Sequence, residues 1–284
     1  MKKPITDDKL MREFVNSIHY QEKIMDTDDG VTYRTDGCPE ELPLTKHGHY
    51  SLLVEDRKQC DRCNIGLNKD KEPGLVNPSR FCNGEFDSNQ IGPWSRWQGN
   101  LEADIVVVGQ DWGDDRYFKE NKGFDKMKTK SGLLYENPTN KRLIHLLSTI
   151  GKIIDPPKDS ETVGTLFFTT ANLCLKNKGG MQGTVKDSWF QNCGQYFLKP
   201  LIEIISPMVV IAIGEKAYRA ICMAYNIEPS KKFSDAVDNK EGIKLGDDML
   251  LFPVYHCGNR VTNTVRDLDS QKADWKRIGS ALQL

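Results

Sequence analysis

Three side chains of different chemistry follow three apolar runs in this chain. Asp111 comes after Asp104-Ile-Val-Val-Val-Gly109, Asn172 after Thr165-Leu-Phe-Phe-Thr-Thr170, and His256 after Met249-Leu-Leu-Phe-Pro-Val254. A carboxylate can orient a water and stabilise a cationic sugar. A primary amide reads donor and acceptor groups, and an imidazole stabilises negative charge on a departing group. Together they suit hydrolysis of a bond while a planar polar heterocycle is held still. Each alone has a plainer role: an Asp after a strand often caps a helix, an Asn sits in turns, and a lone His is commonly structural. Their shared position at strand ends favours the chemical reading.

The elements that must position them follow from hydrophobic patterning. Continuous apolar runs, with Met208-Val-Val-Ile-Ala-Ile213 as a fourth, mark strands buried on both faces of a parallel sheet. Helical spacing over Asn140–Ile150, Asp187–Ile205, Glu215–Tyr225 and Gln271–Leu282 alternates with them, so a parallel α/β sheet is expected. In such sheets ligands bind outside the carboxyl ends of the strands. Residues 1–55 form an N-terminal appendage with helical spacing over Asp7–Asp26, ahead of a main domain at 56–284. The stretch from Cys60 to Gln98 has no period and reads as a long loop that a metal would organise.

Composition narrows the class. The 284 residues are 38% hydrophobic and carry 39 Lys+Arg against 40 Asp+Glu, for a net charge of −1. That suits a globular α/β protein and excludes disordered and fibrous chains. No segment approaches the ~20 apolar residues of a membrane span. The opening MKKPITDDKLMREF has no apolar region behind its lysines, so a cytoplasmic location is expected. In that compartment eight cysteines point to ligation or burial rather than disulfides.

Gly109-Gln110-Asp111-Trp112-Gly113 resembles the first motif of the uracil-DNA glycosylase superfamily, and His256-Cys-Gly-Asn-Arg260 resembles its histidine loop. Gly109-Gln110-Asp111 matches the start of the Gly-Gln-Asp-Pro-Tyr-His motif of uracil glycosylases. The order of the remaining features is similar to that of the iron-sulfur uracil glycosylases of thermophiles, often called family 4. The resemblance covers roughly Cys60 to the C-terminus. It implies a three-layer α/β/α fold around a central four-stranded parallel sheet.

By the resemblance, Asp111 orients the attacking water and His256 bonds the 2-oxo oxygen of the leaving base. Gln110 offers its backbone N–H to the base, Tyr135 stacks on it, and Asn172 reads its Watson–Crick edge. The loop with Gly258, Asn259 and Arg260 enters the minor groove, though it has no Leu wedge. Gly113 stands where a Tyr elsewhere rejects 5-substituted pyrimidines, and Trp112 with the inserted segment 114–134 could reshape the pocket wall. The expected activity is that of a monofunctional DNA glycosylase acting on uracil or a 5-substituted pyrimidine. No lysine stands out as a nucleophile for strand cleavage. Alternatives are a defence glycosylase directed at modified cytosine in viral DNA, and a non-catalytic iron-sulfur nucleic-acid binder. A phosphohydrolase is disfavoured, since no carboxylate or His cluster for a metal pair is visible.

Cys60-Asp-Arg-Cys63 has the spacing of a metal site. With Cys174 and Cys193, placed by the resemblance, it makes four thiolates for a [4Fe-4S] cluster. Cys82 is the rival fourth ligand, and a set using Cys82 with Cys38 or a His would suit zinc. Cys222 reads as core and Cys257 as unligated. DNA is the expected partner of a monomer with no membrane contact. Lys119–Lys130, carrying five lysines and two acids, is a candidate phosphate rim together with Lys176, Lys178, Lys186, Arg260 and Arg266, which flank the Gly179–Gly183 turn and the His loop.

Overall fold

The computed structural model describes residues 45–63, 74–91, 101–120, 138–152, 166–177 and 185–282. Its centre is β2 (Ile105–Asp111). β-Branched residues dominate this strand because the pleat presents a side chain to each face in turn and both faces are covered. Parallel neighbours flank it: β3 (Leu166–Asn172) on one side and β5 (Val209–Ile213) on the other, with β7 (Leu250–Val254) beyond β5. These are the four predicted strands. A fifth, β6 (Ile243–Lys244), pairs antiparallel on the edge of β7, so the order is β3-β2-β5-β7-β6 and the sheet is mixed rather than wholly parallel. Two residues between Gly242 and Leu245 carry no strand pattern of their own; only the exposed edge of β7 recruits them.

Alternation along β2 separates two cores. Val106 and Val108 belong to one, under α4 (Asp187–Cys193), the wide π turn Gly194–Leu198, α5 (Lys199–Ile205) and α6 (Glu215–Ala224). Ile105 and Val107 belong to the other, under α3 (Pro138–Ser148) and α9 (Leu268–Ala281), whose Leu146, Leu147, Trp275 and Ile278 are buried. Each such aliphatic side chain contributes about 1.5–3 kcal/mol when buried. The three-layer expectation therefore holds. The predicted single helix over 187–205 is interrupted at Gly194–Leu198. Pro200 has no N–H to give the carbonyl four residues back, and Gly194 lies against Ala224 with room for little more than a hydrogen.

Two further elements were not expected. α1 (Lys46–Gln59), capped by Thr45 Oγ1 accepting from Gly48 N–H at 3.2 Å, buries Leu53 and Val54 in the first core. The division drawn at residue 55 cuts through this helix. Within the long loop after Cys60, β1 (Gly74–Val76) pairs antiparallel with β4 (Leu175–Asn177). Asn77 then donates to the carbonyls of Arg57, Lys58 and Cys60, and Arg57 pairs with Asp87 at 2.8 Å where both are buried. A polar network thus organises part of the loop. The short helices α2 (Asp115–Glu120), α7 (Phe233–Asp238) and α8 (Asn259–Thr264), with a 3-10 turn at Phe81–Gly84, complete the described chain. No helix among the described residues is long and apolar enough to cross a membrane.

Candidate active site at the carboxyl edge of the sheet

Register brings the first two candidates together: Asp111 on β2 pairs with Asn172 on β3. Both carboxylate oxygens of Asp111 are held. Gln110 Nε2 donates to Oδ2 at 2.7 Å, and Lys176 Nζ pairs with Oδ1 at 3.0 Å. Gln110 thus engages Asp111 through its side chain, a contact the sequence did not suggest. Lys176, expected on a phosphate rim, is instead 3% exposed and lies inside on Asp111. A pairing across 65 residues leaves no local signal.

His256 follows β7, two strands from β2, at about 10 Å by ordinary strand spacing. The neighbouring backbone makes way for its ring. Gly214, at φ +91°, holds a backbone conformation that suits glycine, and a Cβ added there would lie 3.6 Å from His256 Cβ, in ordinary contact. At Gly258 an added Cβ would lie 2.8 Å from His256 Nδ1, so only glycine lets the loop fold over the ring. Gly258 N–H donates to Nδ1 at 3.0 Å, which leaves the proton of the neutral imidazole on Nε2. The edge is open to solvent at His256, yet the protein mass around it dominates. Desolvation lowers its basicity below the ordinary imidazole value, and the charge of Asp111 opposes this only in part. The resting ring is a neutral donor.

Other expectations fare differently. Gly113 has φ +132° and accepts from Lys176 N–H at 2.9 Å, so a side chain there would strain the backbone as well as fill space. Trp112 is 5% exposed and packs edge-on to Phe118 in a satellite cluster with Leu175. Asn259 and Arg260 stand exposed on α8. Arg266 is not free for phosphate, because it makes a two-pronged ion pair with buried Asp274 at 2.6 and 3.1 Å and lies over the Tyr255 ring. Tyr135, Lys178, the Gly179–Gly183 turn, Cys38 and all of Lys119–Lys130 beyond Glu120 lie outside the described residues.

Behind the edge, Cys60, Cys63, Cys174 and Cys193 line one depression with Arg57, Asp61, Leu173, Asn192 and Phe197. They come from the end of α1, the β3–β4 turn and the last turn of α4, and all are free thiols. Asn192 Nδ2 and Arg62 Nη1 each approach a sulfur, of Cys63 and Cys60, at 3.4 Å. Burial pushes the Cys193 thiol up to about 12 and holds Cys174 well above its ordinary range, the neighbouring sulfurs adding to the effect. Arg57 is 3% exposed, and its Nε–H has no partner among the described residues. Among the described residues no three His, Cys, Asp or Glu side chains are arranged round a point that one ion could occupy. Cys82 is not in the lining, and Cys222 and Cys257 are buried in the cores.

Asn172 joins the two regions. It is fully buried, with Nδ2 donating to Cys174 O at 3.1 Å and the Cys193 sulfur 3.8 Å from its Oδ1. One N–H and one lone pair of the amide remain for a ligand.

A mostly parallel α/β sheet with a fixed carboxylate and a neutral imidazole over its carboxyl edge defines a protein whose chemistry sits in the crevice outside the strand ends. The model of the uracil DNA glycosylase superfamily matches residues 97–279, and the chain belongs to that superfamily. Its members are DNA glycosylases, hydrolases of the bond between base and deoxyribose. No curated protein matches the chain. Cys60, Cys63, α1 and β1 precede the matched segment; Asp111, Asn172, Cys174, Cys193 and His256 lie within it.

Proposed function

We propose that this protein flips a pyrimidine nucleotide out of duplex DNA and hydrolyses its N-glycosidic bond, leaving an abasic site. The reading rests on one observation above others: Asp111, clamped at both oxygens, lies within the electrostatic reach of a neutral His256 whose Nε2 carries the proton. Asp111 orients water toward C1′ and stabilises the cationic sugar. The Nε2–H of His256 donates to the 2-oxo oxygen as negative charge gathers on the departing base. Asn172 offers its remaining amide positions to the base edge, and Asn259 and Arg260 face the backbone around the extruded nucleotide.

The four cysteines fit a [4Fe-4S] cluster better than one zinc ion. A cluster takes its thiolates at separate corners, whereas one zinc would draw sulfurs to about 2.3 Å from a single point. Buried thiols that resist ionisation unaided, two donors at sulfur and the buried Arg57 cation all suit a bound group carrying negative charge. When bound, the cluster supplies a structural tie between the end of α1 and the catalytic domain. Cys60, Cys63, Cys174 and Cys193 would hold it.

A substrate larger than uracil is permitted, without being demanded, by Gly113, whose missing side chain leaves the pyrimidine 5-position unguarded at the first motif. This is the branch on which the enzyme would be a cytoplasmic defence glycosylase. The test is base release from duplexes containing uracil, hydroxymethylcytosine or glucosylated hydroxymethylcytosine, with alkaline cleavage reporting abasic sites. Release from uracil alone gives a repair enzyme, and release from the modified duplexes alone gives the defence reading. DNA binding without release from any duplex overturns the glycosylase assignment.

A further inference from the structure

Burying a lysine costs several kcal/mol unless its charge is met, and this fold buries one at the carboxyl edge. Lys176 lies on β4, which is fixed from both sides. Leu75 and Lys176 are partners in the β1–β4 pair, and on the other side Lys176 N–H donates to Gly113 O at 2.9 Å beside a bridge to Asp114. The strand carrying the amine is therefore stitched to the loop carrying the carboxylate. Leu175, fully buried against Trp112 and Phe118, sets the alternation that turns Lys176 the other way. The ammonium reaches Asp111 Oδ1 at 3.0 Å, with relative side-chain exposures of 4% and 9%. Gln110 holds Oδ2. With a donor on each oxygen the carboxylate cannot rotate about Cβ–Cγ, and its unused lone pairs keep one direction.

We propose that Lys176 is a positioning residue of the glycosylase site, fixing the Asp111 carboxylate for its work on water and sugar, rather than a contact to DNA phosphate. The inference rests on Asp111 acting as read above. A phosphate contact would be felt in affinity and in its salt dependence; a positioning contact is felt in the rate of the bound complex.

The test compares wild type, Lys176→Met and Lys176→Arg in single-turnover base release, with Kd measured on a duplex bearing a non-cleavable abasic analogue. Lys176→Met is expected to slow release about 10²-fold with Kd within about threefold, and Lys176→Arg to recover most of the rate. In an Asp111→Asn background Lys176→Met should cost nothing further, because its effect passes through the carboxylate. An unchanged rate, a loss confined to Kd, or full additivity with Asp111→Asn overturns the proposal. A thermal-unfolding cycle over Asp111→Asn and Lys176→Met judges the pair apart from activity. If wild type releases no base from any duplex, the glycosylase reading fails first. Additive Tm changes then reject the pair itself, and non-additive changes uphold it.

Discussion

The catalytic edge and the cysteine depression lie on either side of Asn172 and are built on opposite principles. At the edge, each candidate side chain follows a strand of one sheet, and its polar groups are met by partners within the chain: Asp111 by Lys176 and Gln110, His256 Nδ1 by Gly258. In the depression, four thiols from three separate segments meet with weak contacts to one another's surroundings and an orphaned Arg57 Nε–H. A preorganised edge is complete without a ligand, as catalysis requires. The depression has donors in excess of partners, the condition of a site that a bound group completes.

The largest effect that separates the two regions should come from Asp111→Asn. We expect base release to fall by about 10³-fold with any iron-sulfur absorbance unchanged, and Tm to fall as well because buried Lys176 loses the charge it pairs with; a variant within tenfold of wild type in rate would remove Asp111 from the chemistry. Gly258→Ala comes next. Its Cβ would press on His256 Nδ1 from 2.8 Å, and a displacement of the ring by a few tenths of an ångström to 1 Å should cost up to about 10²-fold in rate. Normal turnover would show that the loop yields freely.

On the other side of the comparison, Cys193→Ala should leave the edge intact but abolish the visible absorbance of purified protein and lower Tm by roughly 5–10 °C, since about 1 kcal/mol corresponds to roughly 2–4 °C at this size. Colourless wild-type protein containing no iron would overturn the cluster reading, and retention of full absorbance by the variant would move the fourth ligand elsewhere. The smallest expected effect is a pH dependence. Because partial desolvation by the surrounding protein holds His256 below 6.5, the unfolded chain binds more protons at this site in the interval below 6.5. Stability is full above 6.5 and falls as pH drops toward the folded value. Replacing His256 by Gln should flatten Tm against pH there, and an unaltered slope would show that the ring is not desolvated.

How much of this could be read from the chain depends on range. The strands of the sheet announce themselves because each is buried on both faces and must be apolar throughout. The first motif and histidine loop are contiguous, so Asp111 and His256 were legible with their neighbours. α1 was not, since its buried face is only Leu53, Val54 and the stem of Arg57; the Thr45 cap was the available signal. β6 and the β1–β4 pair were illegible because two- and three-residue strands take their pairing from the partner edge.

By itself the sequence determined the four parallel strands of the sheet and the order along the chain in which carboxylate, amide and imidazole come at their ends, because hydrophobic periodicity and contiguous motifs are properties of neighbours along the chain. Only the tertiary structure decided which charges meet. Lys176 went to Asp111, Arg266 to Asp274 and Arg57 to Asp87 instead of to phosphate or solvent. A lysine or arginine carries the same charge wherever it stands. Its partner is chosen by what the fold places within reach once water has been excluded, whether that partner stands eight residues away, as Asp274 does from Arg266, or 65, as Asp111 does from Lys176.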